Sequence, residues 1–358
     1  MSDSPSSMKE EEERLEAIAE IDESTLDEAL PKNNWKTIAV RMLASVALLV
    51  ILIWRLPHVE FSEVVPEMTS NTFKWVAIAV GIHVVAYVLQ CLRWYQVSTT
   101  LGLRTPFKKM FGYLLAGEFV SNALPTSFGG DVVRVVRQGA DSGDYADAFA
   151  ATGLERLTGW LVLPIISGVA LGIRPSLLQL GGASLLTVLT NVITLIGLVG
   201  VLWAAGHHRG AGRMVDNTGW RRYLGAVHLG VVAFRHRRGQ VASVLLAGIG
   251  FQFMQCLSVL AAAKALNLHH VDLIVVMAFF PPAAIIQNVP IALGGLGVRE
   301  AAFVLFFGAV GVSDSSAIAL GLTVYVVFII ASLAGAPSFA FHRTPLKIPS
   351  TPTDSRRV

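Results

Sequence analysis

Two stretches of the chain interrupt long apolar runs in the same way. Leu124-Pro125-Thr126-Ser127-Phe128-Gly129-Gly130-Asp131-Val132-Val133-Arg134 and Val289-Pro290-Ile291-Ala292-Leu293-Gly294-Gly295-Leu296-Gly297-Val298-Arg299 each carry a proline, three residues, a glycine pair and then an arginine. Pro125 and Pro290, Gly129 and Gly294, Gly130 and Gly295, Arg134 and Arg299 are all 165 residues apart. Gln90-Cys91-Leu92 recurs as Gln255-Cys256-Leu257 at the same offset. Leucine coincidences are cheap in an apolar chain, but shared Pro, Gly-Gly, Gln-Cys and Arg indicate an internal duplication, which fixes the fold before any local reading does. The copies cover roughly residues 75–170 and 240–335.

The 358 residues are 53% hydrophobic and 15% charged, where a soluble domain carries about 25% charged residues. The expected class is therefore an all-α polytopic membrane protein. A bilayer-spanning helix needs about 20 apolar residues, and six stretches qualify: Ile38 to Trp54, Trp75 to Leu92, Tyr145 to Ala170, Leu178 to Ala204, Val241 to Ala263 and Ser315 to Phe341. Phe107 to Gln138 and Val271 to Gly311 hold the Pro-x-x-x-Gly-Gly breaks, and each is split into pieces too short to cross. They are expected as two re-entrant, or broken, helical hairpins. Residues 1–34 form an acidic polar tail of disordered composition, 35–342 the membrane domain and 343–358 a polar C-terminal tail.

Charge placement orients these elements. Residues 1–30 hold 11 Asp and Glu against 2 Lys and Arg, leaving 14 and 26 for the rest. Lys and Arg accumulate in cytoplasmic loops, and here they gather at Lys32, Lys36 and Arg41, at Arg93, Arg104, Lys108 and Lys109, between Arg209 and Arg238, and beyond Arg343. All of these face the cytoplasm only if each broken segment enters and leaves on one side. Both termini are then cytoplasmic, and the two copies have opposite orientations, an inverted-topology repeat of the kind in which transporters bind substrate near the midplane. The run from Trp220 to Phe234 reads either as an interfacial basic helix or as an ordinary cytoplasmic loop. The N-terminus lacks the pattern of a cleaved signal peptide, so the first span is expected to stay as an anchor. The two cysteines, both in apolar segments, are expected to be packing residues.

Ionisable residues at membrane depth are costly and mark functional sites. Glu118, Asn122, Asp131, Arg134 and Arg137 surround the first break, Gln287, Asn288, Arg299 and Glu300 the second, and Glu155-Arg156 sit on the next span. A helix opening at Gly129-Gly130 would turn backbone N–H groups toward the break, and with Arg134 it would suit a phosphate. Gly129, Gly130, Gly294 and Gly295 would allow close backbone approach, or serve helix packing. The arginines would otherwise make fold-fixing ion pairs to Glu118, Asp131, Glu155 or Glu300. Asp131 reads first as a helix cap and Glu118 as a proton-coupling residue. No metal-ligand spacing, Walker A loop or nucleophile elbow is found, so no cofactor is expected, and nothing points to nucleic acid.

At these residues the chain resembles the lysylphosphatidylglycerol synthase transmembrane-region family of flippase-like membrane proteins. The resemblance rests on Asn122 to Arg134, on Glu155-Arg156-x-x-Gly159, and on Pro290 to Glu300. It implies handling of a lipid such as a phospholipid, an aminoacyl-phospholipid or a polyprenyl-linked sugar, in the cell membrane. Bifunctional members add a soluble aminoacyltransferase, for which the roughly seventeen residues after the last apolar segment leave no room. The expected function is thus a lipid translocase rather than an enzyme. The alternatives are a membrane transferase using Glu118 or Asp131 as base, and a non-transporting partner of a lipid-modifying enzyme docked through the acidic tail.

Overall fold

The computed structural model describes residues 69–123, 129–206, 228, 231, 238–288 and 297–341. The expected span at Ile38 to Trp54, both tails, the run from Trp220 to Phe234 save residues 228 and 231, and Pro125, Pro290, Gly294 and Gly295 lie outside these residues. The described part is helical throughout: α1 (Ser70–Thr100), α2 (Phe107–Ala123), α3 (Gly129–Ser142), α4 (Tyr145–Ile173), α5 (Gly182–Gly206), α6 (Arg238–Ala265), α7 (Leu273–Gln287), α8 (Val298–Gly308), α9 (Asp314–Ser332) and α10 (Ala336–Phe341), with short 3-10 turns at Pro175–Gln179 and Leu333–Gly335. Five helices are long and apolar enough to cross a membrane, and they correspond to the five expected spans that fall among the described residues. The chain is an integral, multi-pass membrane protein.

The duplication is visible in the element order. α1, α2, α3 and α4 correspond to α6, α7, α8 and the α9–α10 pair, and α1 and α6 end at Thr100 and Ala265, again 165 residues apart. α5 belongs to neither copy and packs on α4 and α7.

The two equivalent helices α1 and α6 make the most extensive contact in the molecule, and they run antiparallel. At one end Thr72 Oγ1 donates to the Ala265 carbonyl at 3.4 Å. At the other Gln96 Nε2 donates to Ser243 Oγ at 2.9 Å and Thr100 Oγ1 to Gln240 Oε1 at 3.0 Å. Small residues let the backbones approach, as helix packing in lipid requires. Ala79, Ala86 and Cys91 are fully buried on α1, and Ser258 on α6 donates to the Ala79 carbonyl. The remaining cross-copy contacts come in matching pairs, α4 with α7 and α2 with α9, α1 with α9 and α4 with α6. Exchanging the copies therefore leaves the contact pattern unchanged, as a pseudo-two-fold axis demands.

Within each copy the broken segment is a helical hairpin. Lys109 Nζ, in the first turn of α2, pairs with Asp141 at the end of α3 at 2.8 Å, so the hairpin begins and ends at one level. Seventeen and fourteen residues make helices of about 25 and 21 Å at 1.5 Å per residue, short of the roughly 30 Å hydrocarbon core. In the second copy Phe279 stacks on Phe306 and Phe280 meets Phe303 edge-on, joining α7 to α8. Cys91 and Cys256 are free thiols, fully buried in the two main core clusters, as expected of packing residues.

Candidate functional site

A cavity of about 250 Å³ lies between the two copies. Its walls repeat the duplication: Gln90 and Gln255, Asn122 and Gln287, Arg134 and Arg299, Leu163 and Phe328 all line it, each pair 165 residues apart. A space walled by equivalent residues lies on the axis that relates the copies.

One side of the cavity is a connected ion-pair network. Glu155, on α4, accepts from Nε and Nη2 of Arg93 on α1 and from Arg134 Nη2 on α3 at 3.1 Å. Arg134 also reaches Asp131 at 3.5 Å, one turn back on its own helix, and Asp131 pairs with Arg156. The Arg134 guanidinium lies over the Trp94 ring, 4.3 Å from its centroid. Gly159 completes the arrangement, because a Cβ there would stand 2.9 Å from Arg93 Nη1 and 3.0 Å from Nη2. The Glu155-Arg156-x-x-Gly159 motif is thus one device, in which the carboxylate holds Arg93 and the glycine leaves room for it.

The second copy handles its arginine differently. Gly297, at φ 85°, precedes α8. Its N–H donates to Glu300 Oε2 at 2.5 Å, while Glu300 Oε1 accepts from Arg299 Nη2 at 2.8 Å. The buried carboxylate fits because Gly321 on α9 offers no side chain, and a Cβ there would stand 3.1 Å from Glu300 Cγ. Arg299 lies over the Tyr325 ring at 4.8 Å, and the Tyr325 hydroxyl donates to the Asn122 carbonyl at 3.2 Å. The two hairpins are linked through that tyrosine.

Of the site residues expected from sequence, Glu118, Asn122, Arg134, Glu155, Arg156, Asn288 and Arg299 line the cavity, and Asp131 and Glu300 hold its guanidiniums. Glu118 accepts from Gln90 Nε2 at 3.0 Å. Asp131 lies two residues inside α3, and its carboxylate serves Arg134 and Arg156 rather than a helix cap. Arg137 is not at the cavity; its Nη1 is 3.4 Å from Ser338 Oγ and its guanidinium lies over Tyr113. Gly129 and Gly130 open α3 as expected but do not wall the cavity. A Cβ on Gly130 would strike Ser121 Oγ and the Gly117 carbonyl, so that glycine lets α2 and α3 approach within the hairpin.

Arg93 requires a correction. Grouped by sequence with cytoplasmic Arg104, Lys108 and Lys109, it is 4% exposed and paired with Glu155. Its signal was the helical period from His83 through Tyr87 and Gln90, which places all four residues toward one cavity. His83, Gln252, Gln255, Trp160 and Phe251 also line the site without having been singled out for it. Among the described residues no group of three His, Cys, Asp or Glu is arranged for a metal ion.

Two antiparallel helical repeats enclosing a charged cavity define a polytopic membrane protein that admits a polar group between its halves. The model of the family described as lysylphosphatidylglycerol synthase TM region matches residues 42–335, and the chain belongs to that family. None of the curated proteins and none of the solved structures matches it.

Proposed function

We propose that the protein is a lipid translocase that takes the phosphate-bearing head group of an anionic lipid into the cavity between the repeats. The observation that carries this reading is the pairing of the cavity walls across the two copies, with Arg134 from one hairpin and Arg299 from the other. Guanidinium groups match phosphate oxygens in geometry and charge. Arg93 Nη1 and Arg134 Nε are buried without a hydrogen-bond partner, and a buried donor of that kind calls for an acceptor from the cavity contents.

The antiparallel run of α1 and α6 supports an inverted topology, and the Lys109 to Asp141 pair supports a first hairpin that returns to its own face. With basic segments inside, both termini are cytoplasmic and the membrane is the cell membrane. Rocking of one repeat against the other would open the cavity to alternate leaflets, while acyl chains stay in the bilayer.

Reconstitution into liposomes with leaflet-specific labelled lipid tests the reading. Exchange of labelled anionic phospholipid should accelerate with wild type and fall about tenfold or more in Arg134→Ala and Arg299→Ala; no acceleration for any phosphate-bearing lipid would overturn it. A membrane transferase is the second reading, favoured by Glu118 reaching the cavity held only by a neutral amide among its hydrogen bonds here. Product formation from a lipid-linked substrate that disappears in Glu118→Gln would favour it.

A further inference from the structure

The charged network occupies only part of the cavity wall. Four of the eight glutamines in the chain, Gln90, Gln252, Gln255 and Gln287, line this one space together with Asn122 and Asn288. Carboxamides are rare in lipid-embedded helices because each carries donors and acceptors that need partners. Their concentration here therefore marks contents that are polar without being charged.

Two neutral groups are left with unmet hydrogen-bonding capacity. Gln252 Nε2 and His83 Nδ1 have no hydrogen-bond partner, although the residues are only 4% and 1% exposed. His83 is clamped by aromatic rings, stacked on Phe328 at 4.2 Å and edge-on to Tyr87 at 4.7 Å. Antiparallel packing sets Gln252 beside Tyr87 and Gln255 beside His83 across the α1 and α6 pair. On α1, His83 lies ten residues before Arg93, about 15 Å along the axis at the helical rise. The neutral groups thus stand apart from the Arg93, Glu155 and Arg134 cluster.

An ammonium group would be poorly served in the same space. Glu155, Asp131 and Glu300 already hold guanidiniums, and four arginines line the walls. Hydroxyl groups, which donate and accept at the same atom, suit carboxamides and an uncharged imidazole, and the Trp160, Phe251 and Phe328 rings supply faces against which the C–H surface of a polyol can lie.

We infer that the cavity selects lipids whose phosphate carries an uncharged polyhydroxyl head, glycerol or a sugar, with the phosphate at the arginine cluster and the hydroxyls at His83, Gln252 and Gln255. This rests on the cavity being the head-group site, but not on transport taking place.

Binding is therefore read separately from translocation, as the thermal stabilisation of the purified full chain by soluble head groups. Glycerophosphoglycerol should bind at least about tenfold tighter than glycerophosphoethanolamine or glycerophosphocholine, the difference expected when a buried hydrogen-bonding site is left unmatched. Gln252→Leu and Gln255→Leu should erase that preference while inorganic phosphate still stabilises both variants, which also reports that they are folded. Equal or tighter binding of the ethanolamine ester, or a preference that survives both substitutions, overturns the inference. The liposome assay with the corresponding lipids then separates the two readings. Selective binding without lipid exchange sinks the translocase and keeps the polyol site, whereas exchange without head-group preference does the reverse.

Discussion

Arg134 and Glu155 are joined at 3.1 Å with side chains 3% and 1% exposed, and Glu155 shares its other oxygen with Arg93. One carboxylate thus balances two guanidiniums that come from different helices, α3 and α1. Removing one partner of a buried pair leaves an uncompensated charge, which costs about 3–5 kcal/mol. Glu155→Gln should lose roughly that much in denaturant unfolding of the detergent-solubilised protein. Glu155→Leu combined with Arg93→Met should lose less, because it removes one orphaned charge together with its partner. A loss under about 1 kcal/mol for Glu155→Gln would show that the pair does not hold these helices.

Gly159 and Gly168 lie on the same helix and give opposite expectations. A Cβ at 159 meets the Arg93 guanidinium at 2.9–3.2 Å, whereas a Cβ at 168 meets nothing within 4 Å. Gly159→Ala should push Arg93 off Glu155 and destabilise by about 1–3 kcal/mol, as overpacking does. Gly168→Ala should be neutral or stabilise by up to about 1 kcal/mol through helix propensity. Melting temperatures of the two variants, measured side by side, check the contrast.

The duplication, the helix classes and most of the cavity residues were legible in the sequence, because Pro-x-x-x-Gly-Gly with a following arginine is rare and membrane depth makes every charge conspicuous. Arg93 was misassigned for a physical reason. It sits near the end of an apolar run, where long basic side chains ordinarily reach for the interface, and only the packing of α4 shows that Glu155 waits for it inside. Arg137 failed the other way: it shares a helix with Arg134 but not its face, and it goes to Ser338. The carboxamide set was hidden because Gln90 and Gln255 served only as markers of the repeat, and pairing α1 with α6 is what turned them toward one space.

Outside the apolar helices, Arg174 at the end of α4 pairs with Asp272 before α7 at 2.6 Å. Burial raises the Asp272 carboxyl, but the Val275 N–H and the Arg174 guanidinium outweigh it and hold the group below its ordinary 3.8. A depressed carboxylate contributes stability above its unfolded value and loses it as pH falls through the folded one. The pair is half-exposed, so its worth is about 1 kcal/mol at most. Asp272→Asn keeps the helix cap and should cost less than that at neutral pH. The gap from wild type should close as pH is lowered from 3.8. Asp272→Ala, which also loses the cap to the Val275 N–H, should cost about 1 kcal/mol more. Unfolding midpoints across the acid range read both effects.

α7 carries Pro281 and Pro282 in mid-helix, and a helical proline leaves the carbonyl four residues earlier without its donor. For Pro282 that carbonyl belongs to Ala278, and Ser167 Oγ on α4 donates to it at 2.7 Å. Asn191 Nδ2 on α5 donates in turn to Ser167 Oγ at 2.8 Å, so three helices meet over one broken hydrogen bond, the kind of repair that makes proline tolerable in lipid. Ser167→Ala should cost about 1–3 kcal/mol, the penalty for a buried acceptor left unmet. The N–H that Pro282→Ala restores can reach Ala278, so in that background the cost of Ser167→Ala should fall by about half or more, the remainder belonging to Asn191. A double-mutant cycle in detergent measures the coupling. Additive losses would mean that Ser167 does not act through the proline.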